Sequence, residues 1–243
     1  MREVGIAVLV AGFPAGSLAA NCYVVAPGPG EECVVIDTGQ DATAGVDEIV
    51  REHRLKPVAV LLTHGHFDHT LSVVPVCGAR GIPAYIHPDD REMLADPGKG
   101  LDLMVRQQLL GGLEVSEPDD VRALNAGDPI DLAGLSLTVS HAPGHTPGSV
   151  TFGLPATAET PDVLFTGDLL FAGSIGRTDL PGGDHAAILR SLAGVCLPLP
   201  DSTVVLPGHG DQTTIGRERA SNPFLAGLAA GGSAPASGPS RGL

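Results

Sequence analysis

The stretch Thr-His-Gly-His-Phe-Asp-His at residues 63–69 constrains this chain of 243 residues more than any other. It follows an apolar run at 58–62, which is typical of a buried strand. Alternate residues leaving a strand point the same way, and the loop can turn the next side chains toward the same point. Imidazoles and carboxylates bind Zn²⁺ and are also accepted by Fe and Mn. We therefore predict a metal site formed by His64, His66, Asp68 and His69.

Three more candidate ligands stand at the ends of other apolar runs, each in a turn rich in glycine and proline. They are His145, Asp168 and His209. Such a turn can hold a ligand rigidly, and a carboxylate can bridge two cations through its two oxygens. Taken singly, each residue is more often a cap or a turn residue. Together with the first cluster they favour a metal centre, and two ions are the natural count for seven ligands.

Strands and helices alternate along the chain. Short apolar runs rich in β-branched residues, typical of strands, lie at 33–37, 58–63, 83–87, 135–143, 149–154, 163–168 and 203–209. Near the amino terminus we expect a strand, a turn and a second strand beginning near Asn21. Apolar residues recur at helical spacing over 46–53 and 188–196, and the region 88–116 is also interpreted as helical with glycine breaks. This alternation predicts an α/β protein in which helices cover the sheets.

The charge and the cysteines limit the partners and the compartment. The formal net charge is −14, whereas a surface for nucleic acid or anionic membrane is expected to carry an excess of lysine and arginine. We therefore expect neither nucleic acid nor a membrane as a partner. The four cysteines are scattered and form no Cys-x-x-Cys, so we interpret them as small buried hydrophobic residues in a reducing compartment.

The two ends of the chain are expected to differ. The apolar amino-terminal segment is interrupted at 12–16 and preceded only by the offsetting charges of Arg2 and Glu3, which fits neither a signal peptide nor a membrane span. We therefore expect a cytoplasmic protein with one domain over residues 1–228. Residues 229–243 are almost all glycine, serine, alanine and proline and cannot bury enough apolar surface to fold, so we predict a disordered tail.

The motifs at 63–69, 142–149, 165–168 and 206–210 resemble, in sequence and in order, those of the metallo-β-lactamase-fold hydrolases. The likeness runs from about residue 5 to 225. Within that superfamily, the stretches at 173–183 and 207–224 are most similar to the small bacterial glyoxalase II-like enzymes. The resemblance implies an α/β fold of the αββα type, a four-layer sandwich with two sheets face to face, helices outside and the metal site at one edge.

The resemblance also implies how two divalent metal ions share the ligands. Zinc is the expected metal, and iron or manganese is compatible with the same residues. The implied sets are His64, His66 and His145 for one ion, Asp68, His69 and His209 for the other, and Asp168 as the bridge.

The implied activity is hydrolysis of a thioester, S-lactoylglutathione or a related acyl-thiol, by a metal-bound hydroxide. A water bridging the ions has a pKa of about 7, so hydroxide is available at neutral pH, and Asp68 would orient it. One ion would stabilise the oxyanion, and the thiolate, with a reference pKa of about 8.5, departs without a strong general acid. No Gly-x-Ser-x-Gly occurs that would offer a serine nucleophile.

The thiol carrier and two residues keep alternatives open. Larger glutathione-thioester hydrolases carry Gly-Lys-Phe-Tyr-Glu after the bridging aspartate and a glutathione-binding helical module. Here Gly-Arg-Thr-Asp stands at 176–179 and a tail is expected instead, so the carrier is glutathione or another small thiol. Arg177 is a candidate for binding a substrate carboxylate, with an ion pair to Asp179 as the alternative. His141, four residues before His145, is expected to be structural or to support a ligand.

Three rival functions fit parts of the pattern. A mononuclear Fe(II) persulfide dioxygenase shares Gly-Arg-Thr-Asp but carries Pro-Ala-His-Asp around its last histidine, where this chain has Pro-Gly-His-Gly at 207–210. A β-lactamase is expected to have a cysteine at the bridging position, which Asp168 occupies here. A non-catalytic metal-binding or flavoprotein-partner module should have lost some ligands, and this chain retains all seven. The hydrolase is the preferred hypothesis.

Overall fold

Two six-stranded sheets form the centre of the structure, a computed structural model that describes residues 8–101, 116–127 and 129–229. In the first sheet the two pairs nearest the amino terminus are antiparallel and the other three are parallel. Its strands lie side by side in chain order: β1 (Leu9–Ala15), β2 (Ala20–Ala26), β3 (Glu32–Ile36), β4 (Lys56–Leu61), β5 (Ala84–Ile86) and β6 (Val121–Ala123).

The second half of the chain forms the other sheet and a small hairpin. Its strands are β7 (Pro129–Leu132), β8 (Leu135–His141), β9 (Val150–Leu154), β10 (Val163–Gly167), β11 (Leu170–Phe171), β12 (Ser174–Ile175), β13 (Val204–Pro207) and β14 (Thr213–Thr214). The sheet has the order β14-β13-β10-β9-β8-β7, while β11 and β12 form a separate two-stranded hairpin. Because β8, β10 and β13 run in the same direction, their carboxyl ends lie at one edge.

Helices cover the outer faces of both sheets. The helices are α1 (Ala42–His53), α2 (Phe67–Thr70), α3 (Val73–Gly78), α4 (Glu92–Ala95), α5 (His185–Ser191), α6 (Ile215–Ser221) and α7 (Pro223–Ala229). Helices α1 and α3 pack on the first sheet, and α5, α6 and α7 pack on the second. A π-helical turn, Leu192–Cys196, extends α5, and 3₁₀ turns lie at Pro88–Asp90 and Pro97–Gly100.

The core between the sheets consists mostly of aliphatic side chains. Two further apolar clusters lie beneath the helices on either side, so the layers run helix, sheet, sheet, helix. Burying one such side chain contributes about 1.5–3 kcal/mol relative to leaving it exposed. Side chains at the centre include Ile36 and Leu61 from the first sheet and Leu137, Phe152 and Phe165 from the second. The predicted αββα sandwich is confirmed.

The seven strands predicted from apolar runs are confirmed within two residues at either end. The runs ending at Asp168 and His209 extend past the true strands, because the backbone turns just before each of these side chains. Of the predicted helical region 88–116, the structure has short helical segments up to Gly100, and residues 102–115 lie outside the described residues. The predicted tail also lies outside them, apart from Ala229 at the end of α7.

Among the helices of the described ranges, none is long and apolar enough to span a bilayer.

The carboxyl ends of β3, β4 and β5 lie beside those of β8, β10 and β13, as the contacts between the loops that follow these strands show. Parallel strand ends gather polar residues from distant parts of the sequence at one edge. The candidate ligands lie at this shared edge.

Candidate metal centre

All seven predicted ligands meet at the shared edge of the two sheets. Six are almost fully buried, and the side chain of the seventh, His209, is 10% exposed. Four come from the loop after β4 and from α2, and three come from the segments after β8, β10 and β13. Asp68 and His209, which are 141 positions apart in the chain, are hydrogen-bonded within this one small site.

His64, His66 and His145 form one cluster, the histidine triad, in which the potential ligand nitrogens lie within 4.8 Å of one another. Nδ1 of His66 is 2.8 Å from Nε2 of His145. Burial, followed by repulsion from neighbouring imidazoles, lowers the pKa of His64 well below its usual value and the pKa of His66 to about 3. These two imidazoles are therefore neutral at pH 7, which is the form that binds a metal ion.

Asp68, His69 and His209 form the second cluster, the mixed triad. Nε2 of His209 lies 3.1 Å from Oδ2 of Asp68 and 3.2 Å from Nε2 of His69. Burial disfavours charge on both imidazoles, but nearby carboxylates outweigh it and raise the pKa of His209 and, more strongly, that of His69. Burial also opposes ionisation of Asp68, yet the two imidazoles hold its pKa below the usual range. The mixed triad thus favours opposite charges on its members.

Asp168 lies between the two triads. Its Oδ2 is 3.4 Å from Nε2 of His145, and its Oδ1 is 3.4 Å from Nε2 of His69. Burial opposes ionisation of Asp168, but His69 and the other imidazoles hold the pKa of this carboxyl well below its usual range. An ionised carboxylate with one oxygen toward each triad is the arrangement that a bridging ligand needs.

Several polar atoms of the site are buried without a hydrogen-bond partner. Within the described ranges these include Nε2 of His64, Oδ1 of Asp68 and Oδ1 of Asp168. An unsatisfied buried polar atom costs about 1–3 kcal/mol, so such atoms usually have a functional role or an ion beside them. Nitrogen and carboxylate donors gathered this closely are a suitable set for a divalent cation. The residues present therefore fit the predicted metal site.

A buried aspartate that the sequence analysis did not single out orients a ligand of each triad. Asp37 follows β3 with a φ of 54°, and its Oδ2 accepts a hydrogen bond from Nδ1 of His69 at 2.8 Å. The same carboxylate accepts from the backbone N–H and the hydroxyl of Thr63, both at 2.8 Å. Oγ1 of Thr63 lies 3.0 Å from Nδ1 of His64. A carboxylate behind an imidazole fixes its tautomer and ring orientation, which leaves Nε2 available to a metal.

A second buried aspartate, Asp90, joins the two loops that carry the histidine triad. Its carboxylate accepts from the backbone N–H of Gly65 at 2.9 Å and of Gly148 at 2.7 Å. It also accepts from the hydroxyl of Thr146 at 2.6 Å. A side chain at position 148 would collide with Asp90, since a Cβ there would lie 2.6 Å from Cγ of the aspartate. Burial raises the pKa of Asp90 although these donors oppose the shift. The sequence offered no signal for this residue beyond its place after a strand.

The segment after Asp168 supports His145 through its backbone. Nδ1 of His145 donates to the carbonyl oxygen of Arg177 at 2.8 Å. The guanidinium of Arg177 forms a two-pronged ion pair with Asp179, at 2.7 and 2.8 Å. Of the two alternatives for Arg177, the ion pair is present in the structure, and binding of a substrate carboxylate stays a prediction.

His141 supports a ligand loop. Its ring stacks on that of His87, with centroids 4.3 Å and planes 6° apart, and its Nε2 donates to the carbonyl of Pro147 at 2.8 Å. Pro147 lies in the loop that carries His145. The two stacked imidazoles and Asp89 are close enough to be considered as metal ligands. Parallel rings, however, direct their lone pairs along parallel lines, so a structural role fits this pair better.

Comparison with known proteins agrees with this geometry. Residues 15–209 match the sequence profile of the Metallo-beta-lactamase superfamily. An uncharacterized protein of Mycobacterium tuberculosis is 53% identical over 222 residues, which cover 90% of this chain and 99% of that protein. Hydroxyacylglutathione hydrolase GloC of Haemophilus influenzae is 33% identical over 214 residues, which cover 88% of this chain and 96% of that enzyme.

Two solved structures share the fold along most of the chain. The crystal structure of BLEG-1 B3 metallo-beta-lactamase has a TM-score of 0.78 and 40% identity, and covers 90% of this chain and 100% of its own. The structure of TTHA1623 in a di-iron-bound form has a TM-score of 0.73 and 40% identity, and covers 89% of this chain and 100% of its own. The four-layer architecture and the order of its parts are therefore common to all three.

Proposed function

This chain belongs to the metallo-beta-lactamase superfamily and is a metallo-hydrolase, and from this premise we propose that it cleaves a thioester, S-lactoylglutathione or a related acyl-thiol. The observation that carries the proposal is the pair of buried ligand triads with Asp168 between them. The identity to a hydroxyacylglutathione hydrolase along nearly the whole of both chains supports the substrate class.

The fold binds divalent metals, and we propose two ions, one held by each triad and both by Asp168. Zinc suits these nitrogen and carboxylate ligands, and the di-iron-bound form of a similar structure makes iron the main alternative. Ions held by these residues would supply a water acidified enough to act as a nucleophile at neutral pH and would polarise the substrate carbonyl.

Asp68 is the residue best placed to orient the attacking water. Its Oδ2 is engaged by His209 at 3.1 Å, whereas its Oδ1 is buried without a hydrogen-bond partner. That oxygen can accept a hydrogen bond from the water and hold its proton during attack on the thioester carbonyl. The departing thiolate needs little help, since a thiol with a reference pKa of about 8.5 is a weak base.

Three further residues, Asp37, Thr63 and Arg177, fix the orientation of the candidate ligands. Asp37 acts directly on His69 and through Thr63 on His64, and the carbonyl of Arg177 acts on His145. Each ring is thereby restricted to one orientation before substrate arrives, which avoids a reorganisation cost during the reaction.

A panel of acyl thioesters, with S-lactoylglutathione first, tests the proposal when metal content is measured on the same sample. We expect hydrolysis that chelation abolishes and that added metal restores. Oxygen uptake with glutathione persulfide, in protein that cleaves no thioester, would instead establish the dioxygenase alternative.

Hydrolysis of β-lactams is a second candidate, and one observation favours it. A structure described as a B3 metallo-beta-lactamase shares 40% identity with this chain, and the match covers the whole of that lactamase and 90% of this chain. The same buried centre could direct a nucleophile to a lactam carbonyl. Nitrocefin in the same assay compares the two, and turnover of nitrocefin well above that of every thioester would reverse our order.

The proposal extends to partners and location. A small thioester is the partner that we propose, with no nucleic acid and no membrane surface, since the net charge of −14 opposes binding to polyanionic surfaces of that kind. We place the protein in the cytoplasm, because its four cysteines are free and buried, as expected in a reducing compartment. Comparing the reduced and oxidised masses of the protein extracted from cells checks the cysteine state.

A further inference from the structure

Glu218 and Asn222 are completely buried, in a stretch that carries no ligand. Oε1 of Glu218 accepts a hydrogen bond from the hydroxyl of Thr213 at 2.6 Å. Its Oε2 accepts from the backbone N–H of Gly173 at 2.7 Å and from Nδ2 of Asn222 at 3.0 Å. A carboxylate taken out of water at this depth is costly unless such donors compensate it. Its bonds therefore point to a specific role for this side chain.

Asn222 completes the attachment to the same hairpin. Its Nδ2 lies 3.0 Å from the carbonyl oxygen of Ser174 and 3.4 Å from that of Phe171. Together the two side chains hold β11, β12 and the turn at Gly173 from one side. The hairpin formed by Leu170–Phe171 and Ser174–Ile175 is therefore anchored to α6 and to the residue that follows it.

This hairpin leads to a candidate metal ligand at one end and to a residue that supports another ligand at the other end. Asp168 stands two residues before β11, and Arg177, whose carbonyl accepts from His145, stands two residues after β12. The ends lie against each other, since a Cβ at Gly176 would be 1.8 Å from the carbonyl oxygen of Asp168. A shift of the hairpin would therefore move the bridging carboxylate and the support of His145 together.

Glu218 also connects the hairpin to the strand before His209. Thr213, which donates to the carboxylate, pairs with Val205 of β13, and β13 ends at Pro207, two residues before His209. The ring of Phe171 in the hairpin lies edge-on to that of His209, with centroids 6.2 Å apart. One carboxylate thus ties together the segments that carry the three ligands of the second sheet.

We propose that Glu218, with Asn222, is a positioning residue of the metal centre. It touches no ligand and acts through the hairpin, the carbonyl of Arg177 and β14. Residues that orient metal ligands typically change metal affinity about 10–100-fold when they are replaced. The inference concerns metal binding and not the thioester, so it can fail or succeed independently of the proposed substrate.

The test is metal binding by Glu218→Gln. The variant keeps the volume but replaces one acceptor oxygen by a donor, so either Thr213 loses its acceptor or Gly173 and Asn222 both do, depending on which oxygen is replaced. The metal-free protein is titrated with Zn²⁺ against a chromophoric chelator, and the visible spectrum of the Co²⁺-loaded protein reports the ligand geometry. We expect Zn²⁺ affinity about tenfold or more below that of the original chain, with an altered Co²⁺ spectrum.

Ile215→Val is the matched control. Ile215 is buried on the same helix in the apolar cluster beneath the second sheet, so losing one methyl group lowers Tm without removing a bond to the hairpin. The fall in Tm is measured for both variants. The proposal is supported if Glu218→Gln loses more Zn²⁺ affinity than Ile215→Val does for a comparable fall in Tm. Equal losses at an equal fall in Tm, or unchanged affinity and spectrum in Glu218→Gln, would overturn it.

Asn222→Ala is a second variant in case Glu218→Gln does not fold. It removes both bonds to the hairpin carbonyls and leaves the bond between Glu218 and Gly173 in place. A weaker Zn²⁺ affinity with an altered Co²⁺ spectrum is the expected result. Affinity and spectrum equal to those of the original chain would contradict the positioning role.

Discussion

The histidine triad and the mixed triad lie side by side and are similarly buried, yet they treat charge in opposite ways. Burial holds His64 and His66 neutral, so a cation meets little competition from protons there. Carboxylates raise the pKa of His69 and His209, so a cation must displace protons from the mixed triad. Burial disfavours the charged form in both triads, so the difference between them comes from the carboxylates beside His69 and His209, which outweigh burial there.

The contrast also separates the tasks of the two triads. A set of three imidazoles is suited to retaining an ion, whereas a set containing Asp68 can also accept a hydrogen bond from a water. Asp168 joins the two, with one oxygen toward each. Variants that disturb one triad more than the other test this division.

Loss of one ligand from either triad should have the largest effect. We expect His66→Ala and His209→Ala each to lose about one ion per chain and more than about a hundredfold in thioester turnover. This loss is larger than the roughly 10–100-fold that is typical when a residue that only hydrogen-bonds a ligand is replaced. Metal analysis and turnover on the same samples measure both. His53→Ala, at the end of α1, is the matched control and should keep full activity. Full activity in His66→Ala would remove the metal-dependent mechanism.

Asp37→Asn should have the next largest effect, because Asp37 orients a ligand of each triad. Asparagine also tolerates the left-handed backbone at this position, so the main change is the lost charge. We expect metal affinity to fall about 10–100-fold. Thr63→Val removes the hydroxyl that faces His64 and that also donates to Asp37, while Asp37 keeps its bonds from the Thr63 backbone N–H and from His69. We therefore expect it to weaken the binding of the ion at the histidine triad more than the binding of the other ion. Equal weakening of the binding of both ions in Thr63→Val would show that the triads are not supported separately.

The pH dependence of the metal-free protein should differ between the triads. His66 has a pKa of about 3 in the folded chain, against a usual value of 6.5. As the pH falls from about 6.5 toward 3, the unfolded chain binds a proton that the folded chain does not, and stability declines by up to about 1.4 kcal/mol per pH unit. His66→Gln should remove this part of the decline and leave the part due to His64, whose pKa is also lowered, and urea unfolding across the window measures the difference.

His209→Gln should give the opposite result in the same experiment. The raised pKa of His209 makes a contribution that is fully present below about pH 6.5 and is lost as the pH rises through the folded-state pKa. The variant should therefore lose stability on the acidic side and match the original chain at alkaline pH. Two variants with the same pH profile would contradict the contrast between the triads.

Removal of the residues from Gly231 onward should have the smallest effect. None of the seven ligands lies there, and its composition is unsuited to a packed substrate pocket. We expect unchanged turnover and unchanged affinity for both ions. A large rise in KM without loss of metal would show that this segment contacts the substrate.

The gathering of the seven candidate ligands could be predicted from the sequence because each combines a metal-binding side chain with a strand end. His64 to His69 are also clustered within six positions, so their shared role is visible locally. The strands were predictable for a similar reason, since their β-branched runs are continuous. The fold then follows from how alternating strands and helices pack.

The supporting residues could not be predicted, since their roles depend on contacts between distant segments. Asp37 bonds His69 across 32 positions, and Asp90 bonds Gly148 across 58. Nothing local distinguishes either from an ordinary aspartate in a turn. Glu218 stands in the stretch 207–224, which resembles the small bacterial glyoxalase II-like enzymes, yet its partner Gly173 lies 45 positions away. The ion pair between Arg177 and Asp179 was foreseen as an alternative because only two positions separate them.

Metal-dependent turnover during a titration tests the central claim most directly. Metal-free protein is loaded stepwise with Zn²⁺, and hydrolysis of S-lactoylglutathione is measured at each step beside the bound metal. The two-triad account predicts that activity rises with loading and reaches its plateau near two ions per chain. A plateau at one ion, or no thioester hydrolysis at any loading with zinc, iron or manganese, would contradict it.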